Sequence, residues 1–522
     1  MNRKQKIMFA LFCLLALIVL RWAPYQVKAD HTRDGAVFTV DSTADAVDAA
    51  PGDGLCADAA HRCTLRAAVQ ETNTLKGADT IILPSGVYTL TIGGVDEDLA
   101  ATGDLDIVDG LTINGAGAKN TVIDANDLDR VLHITVNGTV TLNDLSITNG
   151  RVIQQTGSQD GGGIMIEKGT VKSSNVRITR NETVGGSWIH GGGIHNNGVL
   201  FLNNTIVANN VAGSYTAGEG VGGGLSNAGI ATLTNSIIRG NNAWSPGLLF
   251  FGDAGGIYNQ SGAELTLEDC SVHDNRTDGG GGGIKNLGVL TLTDTTVSDN
   301  AANWFDGGGI LNVGGIVTIE RSTVSGNQAV EAGGGLANDG GGSIALLNST
   351  VSGNSAGNGG GIGNITGTLT LASSTIAFNS SGENGGGVWN GGATYLINTI
   401  LAQNTGAAGA PDCSGTLTSQ GYNLLQNTSG CLITGDTLGN LIGLDPLLGP
   451  LQDNGGPTWT HDLAHDSPAM DAAGDIGCPG VDQRGYHRPF DGDSDGAAVC
   501  DIGATEYRVW RYNSYLPAVM RP

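Results

Sequence analysis

Near the end of the chain three aspartates alternate, Asp491, Asp493 and Asp495, and Gly496 follows them. Alternate acids on a tight loop offer hard oxygens to calcium, and the glycine permits the sharp turn such a loop needs. Loop position twelve is Ile502 rather than a bidentate acid, so this is not an EF-hand loop. Asp501 or Glu506 could complete the shell. The competing reading is a solvated acidic turn. A second set of residues lies between glycine triplets: Trp188, Tyr215, Trp244, Phe251, Trp304 and Phe305, with Asp253 and Asp306. Aromatic faces can stack on sugar rings while acids take polar contacts or a cation, and insertions in repeat arrays often carry the binding face. Alternatively each loop packs its own aromatics into a satellite core. Hydrolysis of a sugar bond needs two facing carboxylates, and Asp253 with Asp306 is the only candidate pair on an edge with almost no Arg or Lys, which weighs against an enzyme. Lys285 and Arg321 read as isolated cations.

The element that must position these residues is a repeat. GGGIKNLGVLTLTDTTVSDN begins at Gly281, and related stretches begin at Gly161, Gly191, Gly222, Ala254, Gly307, Gly333, Gly359 and Gly385. The last five copies are 26 residues apart and the earlier ones 27 to 32. A period in this range marks a solenoid. Within the copy at Gly281, Leu290 and Leu292 alternate with Thr291 and Thr293, which places the leucines on one face of a strand. The expected coil has three short strands separated by turns. An Asn five residues after the first glycine (Asn286, Asn312, Asn338 and their equivalents), and a second Asn closing each copy (Asn300, Asn327, Asn354), suit turns and side-chain ladders. Both sets are structural on this reading.

Composition narrows the functional classes. The 86 glycines follow no collagen period, and charged residues are only 14%. The net charge of −25 disfavours a nucleic-acid partner and attracts cations. Residues 1–29 read as a secretory signal: Arg3, Lys4 and Lys6, then an apolar run from Ile7 to Leu20 too short for a comfortable membrane span. No later segment is apolar enough to span a bilayer. Export permits disulfides among the seven remaining cysteines. Closeness in sequence suggests Cys56 with Cys63, Cys413 with Cys431 and Cys478 with Cys500, with connectivity left open. Cys270 is left over, as a small core residue in a repeat.

Three resemblances add to this. CTLRAAVQETN (63–73) resembles the CSLREA motif of secreted bacterial β-helix proteins, with Thr64 and Ala67 replacing the Ser and Glu of that motif. The match continues through DTIILPSGVYTLTI and LTINGAGAKNTVIDAN. From Asp445 to Tyr507 the chain is similar to the choice-of-anchor Q region of exported surface proteins. The triplet repeats resemble those of polymorphic outer-membrane proteins. What the resemblances imply is an exported, surface-associated β-helix, not a reaction.

The expected fold is all-β: a right-handed parallel β-helix solenoid with an N-terminal capping helix and a disulfide-stapled C-terminal cap. The expected divisions are 1–29 signal, 30–78 N-terminal cap, 79–404 β-helix (irregular coils to about 160, then nine repeats) and 405–522 C-terminal cap and tail. The expected function is a secreted or cell-surface structural, adhesive or glycan-binding module. Its partner would be an extracellular polysaccharide or another cell-surface component, its one cofactor calcium, and it would use no nucleic acid. The alternative is a carbohydrate-active enzyme, a polysaccharide lyase or hydrolase on a pectin-lyase-like β-helix.

Overall fold

The structure is a computed structural model that describes residues 35–94, 97–154, 160–185, 189–214, 218–245, 251–407 and 409–508. The signal segment 1–29, Trp188 and Tyr215 lie outside the described residues. Every ladder that joins one coil to the next is parallel, and one stack alone runs through fourteen strands. The chain is therefore an all-β parallel solenoid.

The coil at Gly281 shows how the sequence makes it. It carries four strands, not three: Ile284–Asn286, Val289–Thr293, Thr296–Ser298 and the two-residue Ala301–Ala302. The fourth is short enough to hide in a sequence without apolar alternation. Ile284, Leu290, Leu292 and Val297 are all fully buried. Burying each contributes roughly 1.5–3 kcal/mol before the entropy of ordering the coil is subtracted. Corners at Asp294 (φ 51°) and Asp299 (φ 55°) take the left-handed conformation, as do Asn204 and Asn209 three coils earlier in the same roles. Short polar side chains tolerate that conformation.

The glycine triplet has separable reasons. Gly281 has φ 71°. A Cβ on Gly282 would sit 2.5 Å from both the Ala301 carbonyl carbon and the Gly308 oxygen, which is too close for any side chain. A Cβ on Gly283 would press on the Gly309 oxygen and the Asn300 amide. The backbone of one coil thus lies directly against the backbone of the next.

The asparagines divide the labour that the sequence assigned to them jointly. Corner residues take the left-handed turns, while the Asn side chains that recur once per coil are buried and laddered. Asn196, Asn227, Asn259, Asn286, Asn312, Asn338, Asn364 and Asn390 donate each to the next at 2.7–2.9 Å. A second ladder runs from Asn181 through Asn210, Asn241, Asn275, Asn300, Asn327, Asn354 and Asn379 to Asn404, and ends on Asp412. A third position carries Thr205, Ser236, Thr295, Ser322 and Ser349, and Cys270 takes one rung of it. Burial pushes the Cys270 thiol up to about 11, so it is an unreactive core group.

At the N-terminus, Leu65–Thr74 forms the helix that the spacing predicts, and the Thr64 hydroxyl accepts from the Ala67 amide at 3.1 Å. Arg66 is fully buried. It pairs with Asp45 at 2.6 Å and donates to the carbonyls of Ala100, Gly103 and Asp104. The 63–73 segment is thereby a structural staple. Val37–Thr39 pairs with Asp79–Ile82, so solenoid strands begin inside the expected 30–78 segment.

The C-terminal third differs from expectation. Strands continue past 404: Cys413–Gln420 and Cys431–Asp436 stack on the preceding coils. The cysteines pair as sequence closeness suggests, Cys56–Cys63, Cys413–Cys431 and Cys478–Cys500. Residues 445–507, however, do not cover the end of the stack. They fold back along its flank. Asn398 donates to Gly474 and Ile476, Thr350 to Gln483, and Gln483 to Ser322. From the coil of Leu424 back to that of Thr323 is four steps, or about 19 Å at ~4.8 Å per step. The flap follows because side chains on the third strand of each coil, such as Thr350 and Ser352, are polar and offer it hydrogen bonds. Among the described residues no helix is long and apolar enough to cross a membrane.

Candidate functional site

In the first strand of each coil (together the first stack) the outer residues serve core or ladder and the middle residue points away from the core, although Asp106, His133, Met165, His195, Ser226, Leu311 and Ala337 are buried there. Pairing puts these middle residues in one row: Asp106, His133, Met165, His195, Ser226, Tyr258, Lys285, Leu311, Ala337, Gly363 and Trp389. Ten steps at ~4.8 Å make a row of about 48 Å. The loops that precede the glycine triplets flank it; Phe251, Asp253, Trp304, Phe305 and Asp306 sit on those loops, and Trp244 ends the strand Asn242–Trp244.

At the N-terminal end the row carries an acid–base cluster. His133 Nδ1 lies 3.0 Å from the buried Asp106 carboxylate, and its Nε2 lies 3.1 Å from the half-exposed Glu167. Burial presses the His133 imidazole down, but its bonds to Asp106 and Glu167 outweigh that and leave it raised. Asp104 pairs with Arg130. Burial pushes its carboxyl up to about 7, Arg130 opposes the rise, and Asp129 and Asp106 add to it. Asp98, Asp106 and His133 bring ligand atoms within 4.8 Å of one another, a set that a divalent cation could use. Two steps along, burial takes His195 down to about 4, so it is neutral at pH 7. Its ring centroid lies 5.3 Å from that of His190, which faces Asp160 at 3.4 Å.

The middle of the row is where the expected ligand ridge falls. Lys285 is not isolated: its Nζ pairs with Asp253, whose other oxygen accepts from the Gly280 amide at 3.1 Å. Tyr258 stands beside Lys285, and burial with nearby Asp253 and Glu219 raises its phenol to about 12. Phe251, Trp304 and Phe305 come together, Phe251 lying 4.7 Å edge-on to Phe305 and 6.1 Å from Trp304. That contact fits the satellite-core reading, yet Trp304 keeps 56% of its surface exposed. Trp244 is half-buried, and its indole covers Gly213 of the adjacent coil, where a Cβ would meet the ring at 2.5 Å. Asp253 and Asp306 occupy equivalent loop positions two coils apart, about 10 Å along the axis. With Asp253 held by Lys285, the structure does not make them a facing carboxylate pair. Arg321 is also engaged, with Asp294 at 2.7 Å and with Glu320.

Toward the C-terminal end a cavity of about 420 Å³ opens beside the row. Asp306, Glu331, Asp339, Glu383, Asn358 and Trp389 line it, with Val330 and Ile365. Burial pushes Asp306 up to about 6; the Ala332 amide opposes the rise, and Glu331 and Asp339 add to it.

The acidic C-terminal loop is arranged differently from its sequence pattern. The carboxylates that converge are Asp471, Asp491 and Asp493. Asp471 accepts from the Gly492 and Asp493 amides, both at 3.0 Å. Asp495 instead accepts from the Ala497 amide at 2.8 Å and lies outside the group. Asp501 and Glu506 do not complete a shell. They are buried with Arg488, and Asp501 receives the Asp471 amide at 2.7 Å. Asp471 joins because the chain folds back some twenty residues, which a local motif does not encode.

The sequence reading missed Asp106, His133, Glu167, Asp160, His195, Glu219 and Tyr258. The available signal was a polar residue at the centre of a three-residue strand, as in LDI, LHI, IHN and IKN.

No family model matches the chain, and no curated protein matches it. Solved structures with a similar course include pectate lyase Pel9A (14% identity, TM-score 0.37, covering 91% of this chain and 96% of that one). Others are the A-module of the Azotobacter vinelandii mannuronan C-5 epimerase AlgE6 (13%, 0.29, 73% and 92%) and a rhamnogalacturonan lyase (12%, 0.29, 80% and 92%). At these scores the likeness carries no weight for function.

Proposed function

We propose that this is an exported surface protein whose outward first-stack row binds a polysaccharide. The observation that carries the reading is the row itself. Of its eleven evenly spaced positions, Tyr258, Lys285 and Trp389 are partly exposed while the His133 and His195 imidazoles are buried, and exposed Trp304 and the cavity at Trp389 flank them. A chain of sugar rings is the ligand that meets similar chemistry at regular intervals. In this reading the 65–74 helix closes the first coil, the segments before 79 and after 404 serve as accessory parts, and Asp471, Asp491 and Asp493 hold calcium that fixes the C-terminal loop. Three disulfides suit an oxidising, extracellular setting.

Affinity electrophoresis in gels containing neutral, anionic or amine-bearing glycans tests it. Retardation that weakens in Trp304→Ala and Trp389→Ala supports the reading, and unretarded migration in every gel removes it.

One arrangement favours a second reading, bond cleavage. A largely buried imidazole held between a buried carboxylate and a half-exposed one can move a proton. Release of new reducing ends or unsaturated products, lost in His133→Ala, would establish it. Retardation without product leaves the binding reading in place.

A further inference from the structure

The cavity at the C-terminal end of the row identifies a ligand class. Its carboxylates come from separate coils. Asp306, Glu331 and Glu383 stand on the loops before the triplets at Gly307, Gly333 and Gly385, and Asp339 ends the strand Leu336–Asp339. Asp306 and Glu383 are three coils apart, so the acids spread over about 14 Å. No lysine or arginine is among the lining residues. The nearest row cation, Lys285, is bound to Asp253. The field in the cavity is therefore negative, on a chain of net charge −25. A polyuronate would be repelled.

A bare metal ion fits poorly as well. Among the described residues the groups of three ligands within 4.8 Å lie elsewhere, so these four acids do not converge on one point. They surround a space rather than chelate. One wall is the Trp389 indole, which offers a flat apolar face and attraction for a cation. The volume, about 420 Å³, lies within the ordinary range for an organic ligand. Asn358 is already committed, donating to Glu383 at 2.9 Å, so recognition falls to the carboxylates and the indole.

We propose that this cavity binds a glycan bearing protonated amino groups, an oligomer of de-N-acetylated hexosamine. The sugar's CH face lies on Trp389 and its ammonium groups donate to Asp306, Glu331, Asp339 and Glu383. Charge-assisted bonds of this kind are stronger and shorter than neutral ones. The inference rests on the glycan-binding reading and adds the charge of the sugar.

The test is calorimetric titration of the whole protein with three hexamers: glucosamine, N-acetylglucosamine and galacturonate. The amine is expected to bind at least ten-fold tighter than either other oligomer. Asp339→Asn with Glu383→Gln should weaken it ten-fold or more. Glu264→Gln with Asp436→Asn removes the same charge from exposed strand positions remote from the cavity and should leave it unchanged. Equal weakening in the two double variants means diffuse charge attraction and overturns the proposal. Preference for the acetylated or acidic hexamer overturns it while leaving glycan binding standing. Failure of all three to bind overturns both. The comparison among hexamers needs no variant, so it holds even if one fails to fold.

Discussion

Replacing Asn300 by aspartate keeps the side chain's shape and removes its two donors. Asn300 is 1% exposed and sits mid-ladder. Its Nδ2 donates to the Val272 carbonyl and to Asn327 Oδ1, both at 2.9 Å, and its Oδ1 accepts from the Asn275 amide and side chain, both at 3.0 Å. An aspartate retains both acceptor bonds. It loses both donor bonds, at about 0.5–1.5 kcal/mol each. It also places a carboxylate against two oxygens in a buried site, which costs several kcal/mol more. The expected loss at pH 7 is about 3–6 kcal/mol. The sign of its pH dependence follows. Burial raises the carboxyl above its ordinary ~3.9, so the folded state holds the proton more tightly than the unfolded state. Relative to wild type, the deficit is largest above the raised folded value and shrinks as pH falls through it, because a protonated acid can donate once. Urea melts of both proteins from pH 4 to 8 measure the difference. Hydrogen exchange at the Asn275 and Asn327 amides localises it, since repeat arrays can open in parts. A deficit below about 1 kcal/mol at pH 7, or one that does not shrink on acidification, would refute the ladder as a stabilising element. Asp412 supplies the internal contrast. At the last rung only acceptors are required, and its two oxygens take the Asn404 and Asn427 amides at 3.0 and 2.8 Å.

Three further outcomes are expected. Asp306→Asn should stabilise the protein by about 1–3 kcal/mol at pH 7–8 and by little at pH 4, because its raised carboxyl, near 6, makes wild-type stability fall as pH rises from about 4 to 6; a pH-independent difference contradicts this. Gly282→Ala should cost more than about 3 kcal/mol or prevent folding, whereas Gly480→Ala, with open space around its Cβ and no positive φ, should fall within about 0.5 kcal/mol of wild type; similar melting temperatures for the two would refute the close-approach argument. Calcium held by Asp471, Asp491 and Asp493 should raise the melting temperature by a few degrees, and Asp471→Asn should abolish the rise; a melt unmoved by millimolar calcium removes calcium from this loop.

Much of the scaffold was legible in sequence because its causes are local and repeated. The 26-residue period gave the stack, Leu290 and Leu292 against Thr291 and Thr293 gave the strand faces, and Thr64 with Leu65, Ala68 and Val69 gave the helix. The Asn positions pointed to ladders because nothing else explains a buried amide recurring once per coil. The candidate site was less legible. Lys285 looked isolated because its partner Asp253 is 32 residues away. His133 and Asp106 looked unrelated because their contact depends on the length of an irregular coil. Asp471 joined Asp491 and Asp493 only through the fold of the C-terminal segment, which also turned an expected end cap into a flap along the flank.

By itself, then, the sequence determined that this chain is a parallel solenoid with glycine-packed, amide-laddered coils, since each of those features follows from spacing within one repeat. Only the tertiary structure decided which outward side chains form one row, where the cavity opens and which carboxylates share it. Neighbours in the row, such as Lys285 and Leu311, and cavity partners such as Asn358 and Glu383 lie one coil apart in space and 25 or more residues apart in sequence, and no local pattern fixes the register between them.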